Sequence, residues 1–464
     1  MERKPIPLEP YSHNLGRSYL GGKTLLIPEM NRMASHLIAA TFRGFGVEAR
    51  VLETYKGLDL GKEYTSGKEC YPCQVTLGDI LYFVKKEKEI EGASFNPARY
   101  VYFLPESEGP CRFGLYNKFQ RMVLDTFPGL KRLNISSVTT KDGYSPEGMV
   151  DRHRVTDLKK VAYFSCVVAD ILDRLLWKVR PYEKDPGMAD AFMEKAMKSM
   201  EHVFERYALR KEFDNILDSL QDIIVQGKDL VDAALAPKPL IGVVGEIYLR
   251  MHADANQNLI RLLEKHGAEV VNASMAEWVN YVSYDGFRSA KAEFFLHLKQ
   301  RRFGSLLAAL KGMMNFRLDL FYQEFRQRQV YREAQKLMDL PDDHKISHLD
   351  DILKEEAIYS FDIATEACLS IASIIACARA GYNGMVNVYP FTCMPSTTTA
   401  AIIKPRMSSL GIPYLDAPCD SSIQPGREAA IRTFMYQAEQ HFKRQGRTRA
   451  DAVLELSEKE REAS

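Results

Sequence analysis

The chain has 464 residues, of which 46% are hydrophobic and 27% are charged, and its formal net charge is +1. This composition is typical of a globular protein with two or three domains, and so small a net charge gives no reason to expect a nucleic-acid or membrane partner. No stretch approaches 18 consecutive apolar residues, and residues 1–11 lack a basic start followed by an apolar core, so we expect a cytoplasmic protein. In that reducing compartment the eight cysteines should be thiols or metal ligands.

A strand–helix–strand unit recurs along the chain. The first copy joins strands at 23–27 and 49–52, and the second joins strands at 240–244 and 270–273. A third begins with a strand at 385–389. Right-handed units of this kind build parallel sheets, whose ligands lie beyond the carboxyl ends of the strands. The sequence therefore predicts an α/β fold with two doubly wound parallel-sheet domains and additional helical segments.

Long helical patterns separate these units. They are rich in Leu, Met, Glu and Lys, and Pro237 and Pro239 end the first of them because proline cannot continue a helix. The expected organisation is a first α/β domain at 1–150 carrying Cys70, Cys73 and Cys111, a helical segment at 151–237, the start of a second α/β domain at 238–288, a helical insertion at 289–380, the remainder of the second domain at 381–445 carrying Cys393, and a charged tail at 446–464.

Four cysteines lie in short segments that contain Gly or Pro and run into helix-like patterns. Cys70 and Cys73 precede an apolar stripe with helical spacing, while Cys111 and Cys393 each lie between a strand-like and a helix-like run. A helix N-terminus stabilises a thiolate, because it offers unpaired N–H groups and a partial positive charge. We therefore interpret these four thiols as metal ligands and favour an iron–sulfur cluster.

Other chemistry would also suit the Cys70 and Cys73 pair. A structural zinc ion or a redox disulfide are the alternatives, although zinc usually takes two compact pairs and Cys111 and Cys393 are single and distant. The segment at 61–68 does not form a phosphate loop, because Glu69 replaces the required hydroxyl residue.

The remaining four cysteines are less suited to bind metal. Cys368 and Cys377 lie in an apolar helix pattern and Cys166 in an apolar run, so we expect them in the core. Cys419 lies at a strand end and could approach the cluster.

Three charged residues are weaker site candidates. Glu246 follows the strand at 240–244, and Glu29 occupies the matching place in the first copy, so either could face a cleft between the domains. Arg112 is next to Cys111 and could balance the charge of a cluster or meet an anionic substrate. Ordinary surface roles are the alternative for all three.

Four segments together carry a family resemblance: YTSGKECYPC at 64–73, GPCRFGLYN at 109–117, VGEIYLR at 244–250 and VYPFTCMPST at 388–397. They resemble the 2-hydroxyacyl-CoA dehydratase and benzoyl-CoA reductase superfamily, and more closely the cysteine-containing C-terminal part of acyl-CoA dehydratase activase-related proteins. The resemblance spans about residues 20–425. Ser396 stands where the family motif has glycine, and we expect it to tighten the loop without touching the metal.

The resemblance implies an iron–sulfur cluster between two doubly wound domains. Cys70, Cys111 and Cys393 match the family's cysteine motifs and Cys73 matches the closer subgroup. The implied cofactor is a [4Fe-4S] cluster, or the [8Fe-9S] double cubane of one branch. The double cubane would need more ligands than these four thiols.

The resemblance also implies partners. An ATP-hydrolysing activator would supply electrons in trans, and the substrate would be a small molecule such as an acyl-CoA. We expect no nucleic acid and no membrane, and the chain could form a homodimer.

The sequence thus predicts a cytoplasmic iron–sulfur protein that takes low-potential electrons from an ATP-dependent activator and reduces or dehydrates a small substrate. A non-catalytic electron carrier or cluster scaffold is the first alternative, and a structural zinc protein is the second. Four thiols on one cubane would close every iron, whereas three would leave one iron open to substrate.

Overall fold

The computed structural model describes residues 15–445, so the charged tail predicted at 446–464 lies outside the described residues. The strands are β1 (Leu15–Gly16), β2 (Thr24–Ile27), β3 (Ala49–Val51), β4 (Tyr100–Phe103), β5 (Asn134–Ser136), β6 (Leu240–Gly245), β7 (Glu269–Asn272), β8 (Gly384–Pro390) and β9 (Tyr414–Cys419). The α-helices are α1 (Arg32–Gly44), α2 (Leu58–Glu63), α3 (Tyr71–Glu91), α4 (Tyr116–Asp125), α5 (Val155–Val179), α6 (Met188–Tyr207), α7 (Phe213–Lys228), α8 (Ile247–Met251), α9 (Leu259–Lys265), α10 (Met275–Lys299), α11 (Phe303–Gln335), α12 (Ile346–Glu356), α13 (Glu366–Arg379), α14 (Met394–Leu410) and α15 (Arg427–Gln445).

These strands form two sheets, and all of their pairings are parallel. The first sheet has the order β1-β5-β4-β2-β3 and the second has the order β7-β6-β8-β9. In the first, Leu25 of β2 pairs with Ala49 of β3 and Val101 of β4. The predicted α/β fold with two parallel-sheet domains is confirmed. The sequence patterns missed β1 and β5, which have only two and three residues and so show no periodicity.

Helices cover the sheets, which explains the near-continuous apolar character of the central strands. Leu25, Leu26 and Ile27 of β2 are buried, as is every residue of β6. Because the central strands lie inside, their carboxyl ends lead into loops at the sheet edge where a ligand site can form.

The helical segments connect the two sheets. Helix α5 contacts α1 beside the first sheet and β7 at the edge of the second. Asp170 on α5 accepts hydrogen bonds from the backbone N–H groups of Met275 (2.8 Å) and Ala276 (2.9 Å), so it caps α10. The boundary predicted at residue 288 falls inside α10, which continues as one helix to Lys299.

Helices α10 and α11 form a long hairpin joined at residues 300–302. Of the helices in residues 15–445, none combines the length and apolar character needed to cross a bilayer.

Candidate metal centre

Three of the four predicted ligand thiols occupy the residue just before a helix. Cys70 precedes α3, Cys393 precedes α14, and Cys111 precedes a short 3-10 turn at 112–115 that leads into α4. None of these side chains caps its own helix by a hydrogen bond. The expectation that these thiols start helices is therefore confirmed, and each sulfur lies near the partially positive end of a helix.

Arg112 joins the three loops that carry these thiols. Its guanidinium donates hydrogen bonds to the carbonyl oxygens of Lys68 (Nη1, 2.9 Å) and Thr392 (Nη2, 3.2 Å). Lys68 lies two residues before Cys70, and Thr392 lies directly before Cys393. Loops from both parallel-sheet domains therefore meet around one arginine, whose planar donor group can hold two carbonyls at once.

Removing these two hydrogen bonds should loosen the loops. We expect Arg112→Met to lower the free energy of unfolding by about 1–2 kcal/mol, since charged donors contribute more than neutral ones. Urea denaturation measures this loss, and a thiol-labelling reagent should react faster with Cys111 and Cys393. Arg132→Met, at an exposed arginine, is the matched control and should change neither quantity. Equal labelling rates in the two variants would contradict the bridging role of Arg112.

A pair of buried carboxylates lies beside the thiols. Glu246 precedes α8 and accepts hydrogen bonds from the N–H groups of Tyr248 (3.1 Å) and Leu249 (2.9 Å). Glu366, the first residue of α13, accepts one from the N–H of Ile247 (3.1 Å). Each glutamate is only 9% exposed. Local backbone donors therefore fix both carboxylates in the interior.

Burial dominates the electrostatics of the site. It raises the pKa of Cys70 to about 11 and that of Cys393 to about 12, and it raises the pKa of Cys111 as well. The nearby Glu246 carboxylate raises all three values further, while Glu366 acts on Cys111 and Cys393. The helix termini therefore do not by themselves produce thiolates here. A bound cation would reverse this balance, because coordination deprotonates a thiol.

Ser396 lies close to the Cys393 thiol. Its backbone N–H and its hydroxyl each lower the pKa of that thiol against the effect of burial. Ser396 is 2% exposed. The serine at the family's glycine position therefore reaches a candidate ligand, which is more than the loop-tightening role expected from the sequence.

Cys73 differs from the other three candidate ligands because the Glu246 carboxylate does not act on its pKa. It is fully buried in the first turn of α3 and shares the core cluster of the first domain with Cys70. The side-chain amide of Gln120 lies 3.8 Å from its sulfur, and the one other thiol that acts on its pKa is Cys70. Glu246 therefore acts on Cys70, Cys111 and Cys393 alike, whereas Cys73 interacts with the Cys70 thiol.

The four cysteines outside the candidate ligand set lie in or against the core or at the end of a strand. Cys368 is buried in the core around α13 and Cys377 packs against that core, as expected. Cys166 is buried on α5, where it lines a large cavity. Cys419 ends β9, and the guanidinium of Arg427 lies 3.3 Å from its sulfur.

The two glutamates that occupy matching places in the sequence lie in different surroundings. The Glu246 carboxylate raises the pKa of the Cys70, Cys111 and Cys393 thiols. Glu29 instead lies near Arg32 (3.8 Å) and His36 (3.9 Å). Sequence reasoning missed Glu366. The sequence does contain a signal for this residue. Thr365 caps α13 by accepting a hydrogen bond from the N–H of Ala367, and the acidic Glu366 follows it directly.

A cavity of about 1060 Å³ adjoins the site. Cys111, Glu246 and Glu366 line it, as does the hydrogen-bonded pair of Trp278 and Tyr144. Its walls are mostly apolar side chains from the first sheet domain and from α5, α10 and α11. Such a cavity can bind an organic ligand beside Cys111.

The donor set fits an iron–sulfur cluster held by Cys70, Cys111 and Cys393. All eight cysteines are free thiols, and soft sulfur ligands select iron–sulfur clusters or zinc. Residues 15–445 contain no group of three or more His, Cys, Asp or Glu side chains arranged around a single metal ion.

Comparison with known proteins adds no assignment, because no family model and no curated protein matches the chain. The superfamily resemblance therefore stays a prediction that rests on the four sequence motifs.

Proposed function

We propose that this chain is an iron–sulfur protein that takes single low-potential electrons from an ATP-hydrolysing activator and passes them to a small-molecule substrate. Cys70, Cys111 and Cys393 would hold the cluster. The observation that carries the proposal is the meeting of these three thiol loops, from two sheets, around Arg112.

An enzyme is favoured over an electron carrier by the position of Cys73. This thiol is fully buried, and the Glu246 carboxylate that acts on the other three thiols does not act on it, so three thiols would hold the cluster and one iron would be open. When bound, the cluster would supply one-electron or Lewis-acid chemistry. Arg112 would keep the loops together, and Glu246 and Glu366 would present polar groups to a substrate in an otherwise apolar cavity.

The cavity beside the thiols suits a substrate with a sizeable apolar part. An acyl-CoA is the substrate that the family resemblance suggests, and its acyl group would enter the space lined by Cys111, Tyr144 and Trp278. The reaction would be a reduction or a dehydration in the cytoplasm.

Exposed apolar side chains around the thiol loops support a docking partner at this place. Leu115 is 63% exposed and Phe391 is 65% exposed, and Ile363 and Met394 are also exposed. These residues follow or precede Cys111, Glu366 and Cys393 closely in sequence. An activator that docks here would bring its own redox centre close to the cluster.

Metal analysis tests the proposal directly. Protein purified under anaerobic conditions should be brown and contain iron and acid-labile sulfide, with an electron paramagnetic resonance signal after reduction. About four irons per chain would indicate [4Fe-4S]. About eight would indicate the double cubane and would require further ligands such as Cys166 or Cys419. Colourless protein with stoichiometric zinc and no sulfide would instead establish the structural zinc alternative.

A further inference from the structure

The hairpin of α10 and α11 exposes a stripe of large apolar side chains. On α11 these are Phe303, Leu307, Met314, Leu318, Phe321 and Phe325, each more than half exposed. Their separations of three, four and seven residues place them on one face of the helix. The opposite face is buried against α5, α7 and α10. No described residue covers the stripe, and exposed apolar patches of this kind mark interaction sites.

Positive charge surrounds the same surface. Between residues 289 and 318 the chain has six basic residues and one acidic residue, Glu293. All six cations are exposed, and within the described part of the chain none forms an ion pair. They are Lys291, Lys299, Arg301, Arg302, Lys311 and Arg317. The net charge of +1 for the whole chain therefore conceals a strongly basic region.

The combination of exposed apolar side chains and exposed cations favours an anionic lipid surface over a protein partner such as a second copy of this chain. An interfacial helix buries apolar and aromatic side chains at the boundary of the acyl chains and places its cations among the headgroups. A second copy of this chain would instead bring the same six cations against each other, which like-charge repulsion opposes.

The cavity beside the thiols also reaches this hairpin. Its lining includes the exposed hairpin residues Glu293, Gly304, Ser305 and Ala308, together with Phe316 and Trp278. A mostly apolar cavity that adjoins an interfacial surface would admit molecules dissolved in the bilayer.

We propose that the α10–α11 hairpin docks this protein onto the surface of an anionic bilayer. The stripe enters the interface without crossing the membrane, and the cations contact the lipid headgroups. This attachment goes beyond the iron–sulfur function and does not depend on the cluster, so it can be tested on protein without metal.

Co-sedimentation with lipid vesicles tests the docking. Wild-type protein should bind vesicles of phosphatidylcholine with phosphatidylglycerol at least tenfold more tightly than vesicles of phosphatidylcholine alone. Because salt screens exposed charges, this binding should weaken as the ionic strength rises. Phe303→Ser/Leu307→Ser and Arg302→Glu/Lys311→Glu should each reduce binding at least tenfold. The matched controls on α3, Ile90→Ser and Lys85→Glu, also change exposed residues and should bind as wild type does.

Two results would overturn the proposal. One is wild-type protein that stays in solution with anionic vesicles, or that binds both vesicle types equally. The other is a wild-type dimer, seen by analytical ultracentrifugation, that Phe303→Ser/Leu307→Ser converts to a monomer, since a second copy would then cover the stripe. Circular dichroism of each variant verifies that it is folded.

Discussion

Cys111→Ser and Cys393→Ser should each lose the bound cluster or convert it to a form with less iron. Both thiols start helices at the point where loops from the two sheets meet, and a serine hydroxyl is a much weaker ligand for iron than a thiolate. Iron and sulfide content, together with the electron paramagnetic resonance spectrum, measures the effect. The loss should be most of the bound iron.

Two core thiols provide the matched controls. Cys368→Ala and Cys377→Ala should keep the cluster and cost only on the order of 1 kcal/mol of stability, because these side chains pack around α13. Equal iron loss in the ligand and control variants would show that the ligand assignment is wrong.

Cys73→Ala distinguishes the enzyme from the carrier. If three thiols hold the cluster, this variant keeps its iron and loses about 1–2 kcal/mol of stability from a small cavity in the first domain. We expect that result. Iron loss comparable to that of Cys111→Ser would identify Cys73 as a fourth ligand, and a fully ligated cubane would favour an electron carrier.

The second prediction with a large expected effect concerns ATP hydrolysis and the reduction of the cluster. Purified protein mixed with ATP and a strong reductant should not hydrolyse ATP, because the segment at 61–68 lacks the phosphate-loop pattern. Addition of a cognate activator should then give ATP-dependent reduction of the cluster, since hydrolysis would drive electrons to a low potential. Stopped-flow absorbance follows the reduction, and phosphate release follows the hydrolysis.

A variant of an exposed residue beside a thiol loop tests where the activator docks. Phe391→Ser should weaken reduction by the activator and leave the iron content unchanged, because this side chain is 65% exposed and lies two residues before Cys393. ATP hydrolysis by the chain alone would contradict the proposal of an activator in trans. Complete reduction of the cluster by dithionite, with no further reduction when ATP and activator are added, would also contradict it.

Local sequence patterns were sufficient to predict the secondary structure that positions the candidate ligands. Buried parallel strands such as β2 and β6 are nearly continuous apolar runs, and the helices after Cys70 and Cys393 have clear periodicity or a proline near their start. These signals are local. Burial on both faces of a sheet requires a short run of apolar residues, and a helix start favours particular residues such as proline within its first turn. The two short strands β1 and β5 show no such pattern in the sequence.

The packing of helices and sheets controls which groups come together. In sequence, Cys70 and Cys73 are a pair and Glu246 and Glu29 occupy matching places. In the fold, Glu246 acts on the Cys70 thiol but not on the Cys73 thiol, and Glu366 takes the place beside Glu246. The direction of each side chain and the proximity of residues more than a hundred positions apart depend on how helices and sheets pack. For the same reason, the exposed stripe on α11 could not be distinguished from a core stripe until its neighbours were known.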